Sequence, residues 1–163
     1  MISSLKIIVK EKGRSFAQFV MKHYGKLKPL LFWVSVGTRS RFKMIILRLF
    51  FKAFYSEKSN PIYNLNLKKG VNLVGYPCAD IGEGEFIRQT AMSFSKTDIE
   101  FGIYNYNHEI SFSQNDQRLN SFVRSDNPYL VNIFHLKPDQ VEASIVRLGD
   151  SFVTGRFNIG YWV

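Results

Sequence analysis

Cysteine occurs once in this chain of 163 residues, at Cys78, and histidine three times, at His23, His108 and His135. One cysteine cannot build an internal disulfide framework, so nothing here favours an oxidising compartment. Three scattered histidines and one cysteine also make a poor structural zinc site, and no metal is expected. Long uncharged apolar runs are missing as well. A membrane-spanning helix needs about 20 largely apolar residues. The two apolar clusters, residues 30–36 and 44–55, are separated or broken by Arg39, Arg41, Lys43, Arg48 and Lys52. The apolar runs start too late for a secretory signal, and no small-residue cleavage pattern follows them. A cytoplasmic protein is expected, with attachment to the inner face of a membrane left open. The nucleophile elbow Gly-x-Ser-x-Gly, the zinc signature His-Glu-x-x-His and the P-loop Gly-Lys-Ser/Thr are all absent.

Acidic residues are scarce in one half only. The net charge is +9 at pH 7. Residues 1–69 carry 15 Lys/Arg against 2 Asp/Glu, and residues 70–163 carry 7 against 11. The chain therefore joins a basic, aromatic-rich leader to a mildly acidic body, and the overall charge describes neither. A hydrophobic content of 45% with 21% charged residues excludes disordered or fibrous classes. The length fits one domain, or one domain with an extension.

The leader is expected to be helical. Over residues 41–55, Phe42, Ile45, Ile46, Leu49, Phe50 and Ala53 share one broad helical face, while Arg41, Arg48 and Lys52 gather on another. Packing of the apolar stripe on the body is the first reading. Contact of residues 1–60 with an anionic membrane surface is the second. Nucleic acid ranks last, because no recognised motif accompanies the charge. Residues 56–61 read as a linker.

The body alternates in type. Residues 71–76 form an apolar run, and a helical pattern follows from Glu83 to Ser95, with Asp80 and Glu83 spaced as a capping box. Residues 99–106 are strand-like, residues 107–127 are a polar excursion, and residues 129–135 are a second buried-strand candidate. Pro138 opens a helix that Gly149 closes. Residues 156–163 are a last strand-like run, and the ending inside it reads as an interruption of a larger domain. Strand and helix alternation predicts a parallel α/β sheet with flanking helices, whose ligands bind beyond the carboxyl ends of the strands.

That rim directs attention to a few residues. Gly82, Glu83 and Gly84 sit in a glycine loop before a helix, where backbone can approach a ligand. The dinucleotide fingerprint fails there, because Ile87 stands where its third glycine belongs, and Asn105 and Asn107 stand where a ribose-binding acid is wanted. A structural turn and a ligand-facing loop are equally compatible with these residues. His135 ends a buried strand and faces the rim as a proton relay or hydroxyl partner, or else serves as a hydrogen-bonded structural histidine. His108 and Glu109 read as a solvated pair. Cys78 has no nearby base that would make it a nucleophile.

Three blocks, residues 71–77 with 79–85, residues 131–140 and residues 155–162, resemble a group of bacterial retaining glycosyltransferases. The resemblance implies the GT-B fold, in which two Rossmann-like domains face a cleft. It also implies transfer from a nucleotide sugar to a cell-surface glycan or lipid-linked acceptor, without a cofactor. The blocks cover only the first part of the acceptor-side, N-terminal domain. The donor-binding domain and its pair of glutamates are not among these residues, and the leader lies outside the resemblance. By position the resemblance makes His135 a catalytic-rim residue near the transferred sugar and sets Gly82 and Gly84 in the loop bordering donor phosphate and acceptor; Glu83 and Asn105 are substrate-side candidates from their place on the strand-end rim. Two functions follow as expectations: an incomplete glycosyltransferase, inactive alone unless a second domain completes it, or a non-catalytic membrane- or protein-interaction module with a degenerate α/β body. Residues 1–69 are expected as the leader and 70–163 as the incomplete domain.

Overall fold

A computed structural model describes residues 11–16, 18–20, 23, 33–54, 63–108 and 111–162. Residues 1–10 and 30–32, Tyr55, the linker 56–61 and Glu109 fall outside the described residues. Two compact units emerge: residues 1–60 with 142–152, and residues 61–141 with 153–163.

The first unit holds helix α1 (Val36–Phe54), a 19-residue element without an acidic residue. The hydroxyl of Ser35 accepts the N–H of Thr38 at 3.2 Å and so occupies one of the orphan donors at its start. Arg14 pairs with Asp150 at 2.5 Å in the same unit. Ile45 and Leu49 of the α1 apolar stripe are exposed.

The second unit holds an all-parallel sheet of five strands: β1 (Lys68–Gly75), β2 (Phe101–Asn105), β3 (Val123–Arg124), β4 (Tyr129–Phe134) and β5 (Phe157–Gly160). Their spatial order is β3-β2-β1-β4-β5. Helix α2 (Gly82–Phe94) links β1 to β2, and α3 (Pro138–Leu148) with the short α4 (Asp150–Val153) links β4 to β5. This is an α/β, Rossmann-like arrangement, and the order reverses between β1 and β4. The polar excursion corrects one expectation. Its last third forms a 3-10 turn, Asn120–Phe122, and then β3, which adds a fifth strand beside β2. Phe122 accounts for the turn inward: its ring stacks on Phe101 with centroids 4.8 Å apart.

Central strands covered on both faces need no strict polar alternation, and residues 71–75 of β1 are apolar or glycine but for Asn72. On one face Leu73, Ile103, Ile87 and Ala91 are fully buried, and α2 covers the strands through the last two. Burying a side chain such as Leu73 contributes roughly 2 kcal/mol. The other face carries polar groups in line. Asn72, Asn132 and Asn158 are register partners on β1, β4 and β5. Asn72 Nδ2 donates to Asn132 Oδ1 at 2.8 Å, and Asn132 Nδ2 donates to Asn158 Oδ1 at 2.9 Å. The ends are tied to backbone: Asn72 Nδ2 also donates to Tyr129 O at 2.9 Å, and Asn158 Nδ2 donates to Val153 O at 2.9 Å. Buried amides tolerate this position because each has partners. A one-residue slip of any strand would turn its asparagine to the other face.

Replacing the middle asparagine strands two neighbours. Asn132→Ala is expected to cost about 2 kcal/mol in urea unfolding, and Asn158→Ala, at the exposed end, about half as much. Equal costs would show that the three amides do not act as a chain.

Candidate functional site

The strand register decides what meets at the reversal of the sheet. Val74 pairs with Phe134, and Phe134 with Gly160. Backbone pairing continues past the strand ends: His135 N–H donates to Val74 O at 2.8 Å, and Tyr161 N–H to Phe134 O at 3.0 Å. The next residues along β4 and β5 are therefore side by side, and the His135 and Tyr161 rings lie 4.9 Å apart, tilted. A small cavity of about 90 Å³ opens there, lined by His135, Leu136, Lys137 and Pro138, by Tyr161 and Trp162, and by Glu83 and Phe86 of α2.

Each wall has a local reason. Lys137 is the residue before α3, and its carbonyl accepts the N–H of Val141 at 3.0 Å. Gln140 Oε1 accepts the Lys137 N–H at 3.2 Å, the reach-back half of a capping box, with Pro138 at the first helical position. The expected box at the other helix does not form: Ile81 is the N-cap of α2 and makes no side-chain cap. Asp80 is drawn away by the excursion, accepting from Ser113 Oγ at 2.6 Å and Asn115 Nδ2 at 3.0 Å. Glu83 instead folds onto its own backbone N–H and pairs with Lys137 at 3.1 Å, and these two contacts, in that order, lower its carboxyl below the usual range. The positive helix end is thus already occupied by a carboxylate, which opposes phosphate binding at that point.

His135 is 3% exposed, and neither ring nitrogen has a hydrogen-bond partner. Burial alone lowers its pKa to about 4. At neutral pH it is an uncharged imidazole with one donor and one acceptor to offer, beside two aromatic rings. Tyr161 and Trp162 are 47% and 58% exposed. An orphaned polar group in a pocket with aromatic walls suits a neutral, hydroxyl-rich ligand.

The other sequence-selected residues separate. Gly82 opens α2 with free space around its Cα, compatible with approach by a ligand. Gly84 has a packing role: a Cβ there would lie 2.2 Å from Ala79 O, so only glycine lets the loop lie against the helix. Asn105 ends β2, on the other side of β1 from His135, and does not line the cavity. Its Nδ2 faces Cys78 Sγ at 3.9 Å, and its Oδ1 is buried without a partner. Burial first, then Asp116, pushes the Cys78 thiol up, which opposes a nucleophilic role. His108 packs edge-on against Tyr106 at 5.2 Å.

Two further features were not anticipated. Lys137, Tyr161 and Trp162 join the site because parallel neighbours β4 and β5 end at one level. The loop between β1 and α2 is held by Arg88, which donates to Pro77 O and Ala79 O at 2.9 Å each and lies 3.2 Å from Asp116. Asp116 is also bound by Arg118, the largest cause of its pKa falling to about 2.

The His135 shift has a defined sign. The folded protein binds this proton only near pH 4, whereas an unfolded chain binds it near pH 6.5, so stability is complete above pH 6.5 and falls as the pH drops toward 4. Urea midpoints should report a loss of about 2 kcal/mol between about pH 7 and 5, absent from His135→Leu. The lowered carboxylates, Asp116 and Glu83, titrate below that window. Compared with protein-family models, with curated proteins and with solved structures, the chain matches none.

Proposed function

We propose that this chain is the acceptor-side part of a glycosyltransferase of GT-B type. It would help move a sugar from a nucleotide sugar to a cell-surface glycan or lipid-linked acceptor. One observation carries the reading. The three blocks that resemble such enzymes form the adjacent strands β1, β4 and β5 and the segments after them, and those segments line one cavity. Residues scattered over the chain thus converge at the position where open α/β sheets bind ligands.

The chemistry of the walls supports a saccharide there. Tyr161 and Trp162 offer ring faces to the apolar face of a sugar. His135, uncharged, exchanges hydrogen bonds with a hydroxyl pair, and in a completed enzyme it stands at the rim where a proton leaves the acceptor. Lys137 and Glu83 add a charged pair that a hydroxyl can bridge. Gly82 adjoins the cavity through its neighbour Glu83 without lining it. Asn105 and Gly84 take no part in this cavity. The leaving diphosphate would be stabilised by the donor-side domain of the completed enzyme.

Titration of the full chain with a panel of free hexoses and short oligosaccharides, followed by saturation-transfer NMR, tests the reading. Binding is expected for at least one saccharide, weakened about tenfold by His135→Ala and by Trp162→Ala. No binding by any member, or binding unaffected by both changes, would overturn it.

A further inference from the structure

Helix α1 exposes two unlike rows side by side. Ile45 and Leu49, one turn apart, are 56% and 62% exposed. Arg41, Arg48 and Lys52 are exposed as well, at spacings of seven and four that keep them on one helical face beside that apolar pair. The helix sequence holds five cations and no acid. Trp33, three residues before the helix, is 75% exposed. Among the described residues no helix is long and apolar enough to cross a membrane.

We infer that α1 lies in the surface of an anionic lipid bilayer, with Ile45 and Leu49 in the acyl boundary and the arginines and Lys52 against the headgroups. A purely electrostatic partner such as nucleic acid would neutralise the cations but leave the apolar row in water. A neutral bilayer would take the apolar row but leave the uniform positive charge without a counterpart. A bilayer that is apolar at depth and negative at its face satisfies both rows. Trp33 extends the same pattern, since an indole prefers the headgroup level. This inference rests on the first unit alone and stands or falls independently of the saccharide reading.

Sedimentation of the full chain with vesicles tests it, using phosphatidylcholine alone and phosphatidylcholine mixed with phosphatidylglycerol. Far-UV circular dichroism checks that each variant keeps its helix. Binding to the anionic vesicles is expected, with loss at high salt. R41Q/R48Q/K52Q should reduce the partition coefficient about 100-fold, at roughly 5-fold per charge. I45S/L49S should reduce it too while leaving the charge untouched. Equal binding to both vesicle types would overturn the inference, as would binding that survives either set of substitutions in a folded protein. Binding to duplex DNA without binding to vesicles would overturn it in favour of nucleic acid.

Discussion

The asparagine chain across β1, β4 and β5 is the constraint on which the remaining geometry depends. Three amides, two of them buried, are satisfied only when their strands stand in one register. Apolar packing alone does not enforce this, because buried parallel strands present branched apolar residues on both faces and tolerate a shift by two. The amides remove that freedom: a displaced strand loses hydrogen bonds in a medium where water cannot replace them. Their register carries upward through Val74, Phe134 and Gly160 and decides that His135 and Tyr161 leave the sheet together. The cavity is therefore a consequence of polar order deep in the sheet.

A second hub organises the loop side. Arg88 is buried and occupied on every flank, by two loop carbonyls, by Glu85 of its own helix and by Asp116 of the excursion. A buried guanidinium needs such company, since desolvation is repaid only by full pairing. Its position ties three separate pieces of chain together: the loop after β1, the first turns of α2 and the segment before β3. The excursion, polar in composition, is thereby part of the framework.

Much of this was legible in the residues, and the exceptions share a cause. The main strands and the two long helices of the body were readable because apolar runs, Pro138 and Gly149 report local preferences. Gly149 adopts the left-handed conformation with φ of +87°, as a closing glycine should. The two-residue strand β3 was not readable, since Val123 and Arg124 carry no pattern and their pairing with Ile103 and Tyr104 is tertiary. The capping box failed for a similar reason: Asp80 found distant partners in Ser113 and Asn115, which local spacing cannot foresee. His135 and Glu83, which the strand-end rule puts on one rim, line one cavity. Asn105 does not, because the rule gives the rim but not the side of β1 on which β2 lies. Gly82 and Gly84 are alike in sequence and opposite in surroundings, one open and one packed against a carbonyl.

That packed glycine sets the mechanical character of the cleft. With Gly84 against Ala79 O, and Arg88 gripping Pro77 O and Ala79 O, the loop has no slack in which to reshape itself. Across the cavity, Tyr161 and Trp162 are half exposed and extend beyond the last strand pair. Tyr161 is nevertheless anchored, by its N–H to Phe134 O at 3.0 Å and by its ring against His135. The same cavity is thus walled on one side by chain that backbone contacts tie down and on the other by two rings that face solvent.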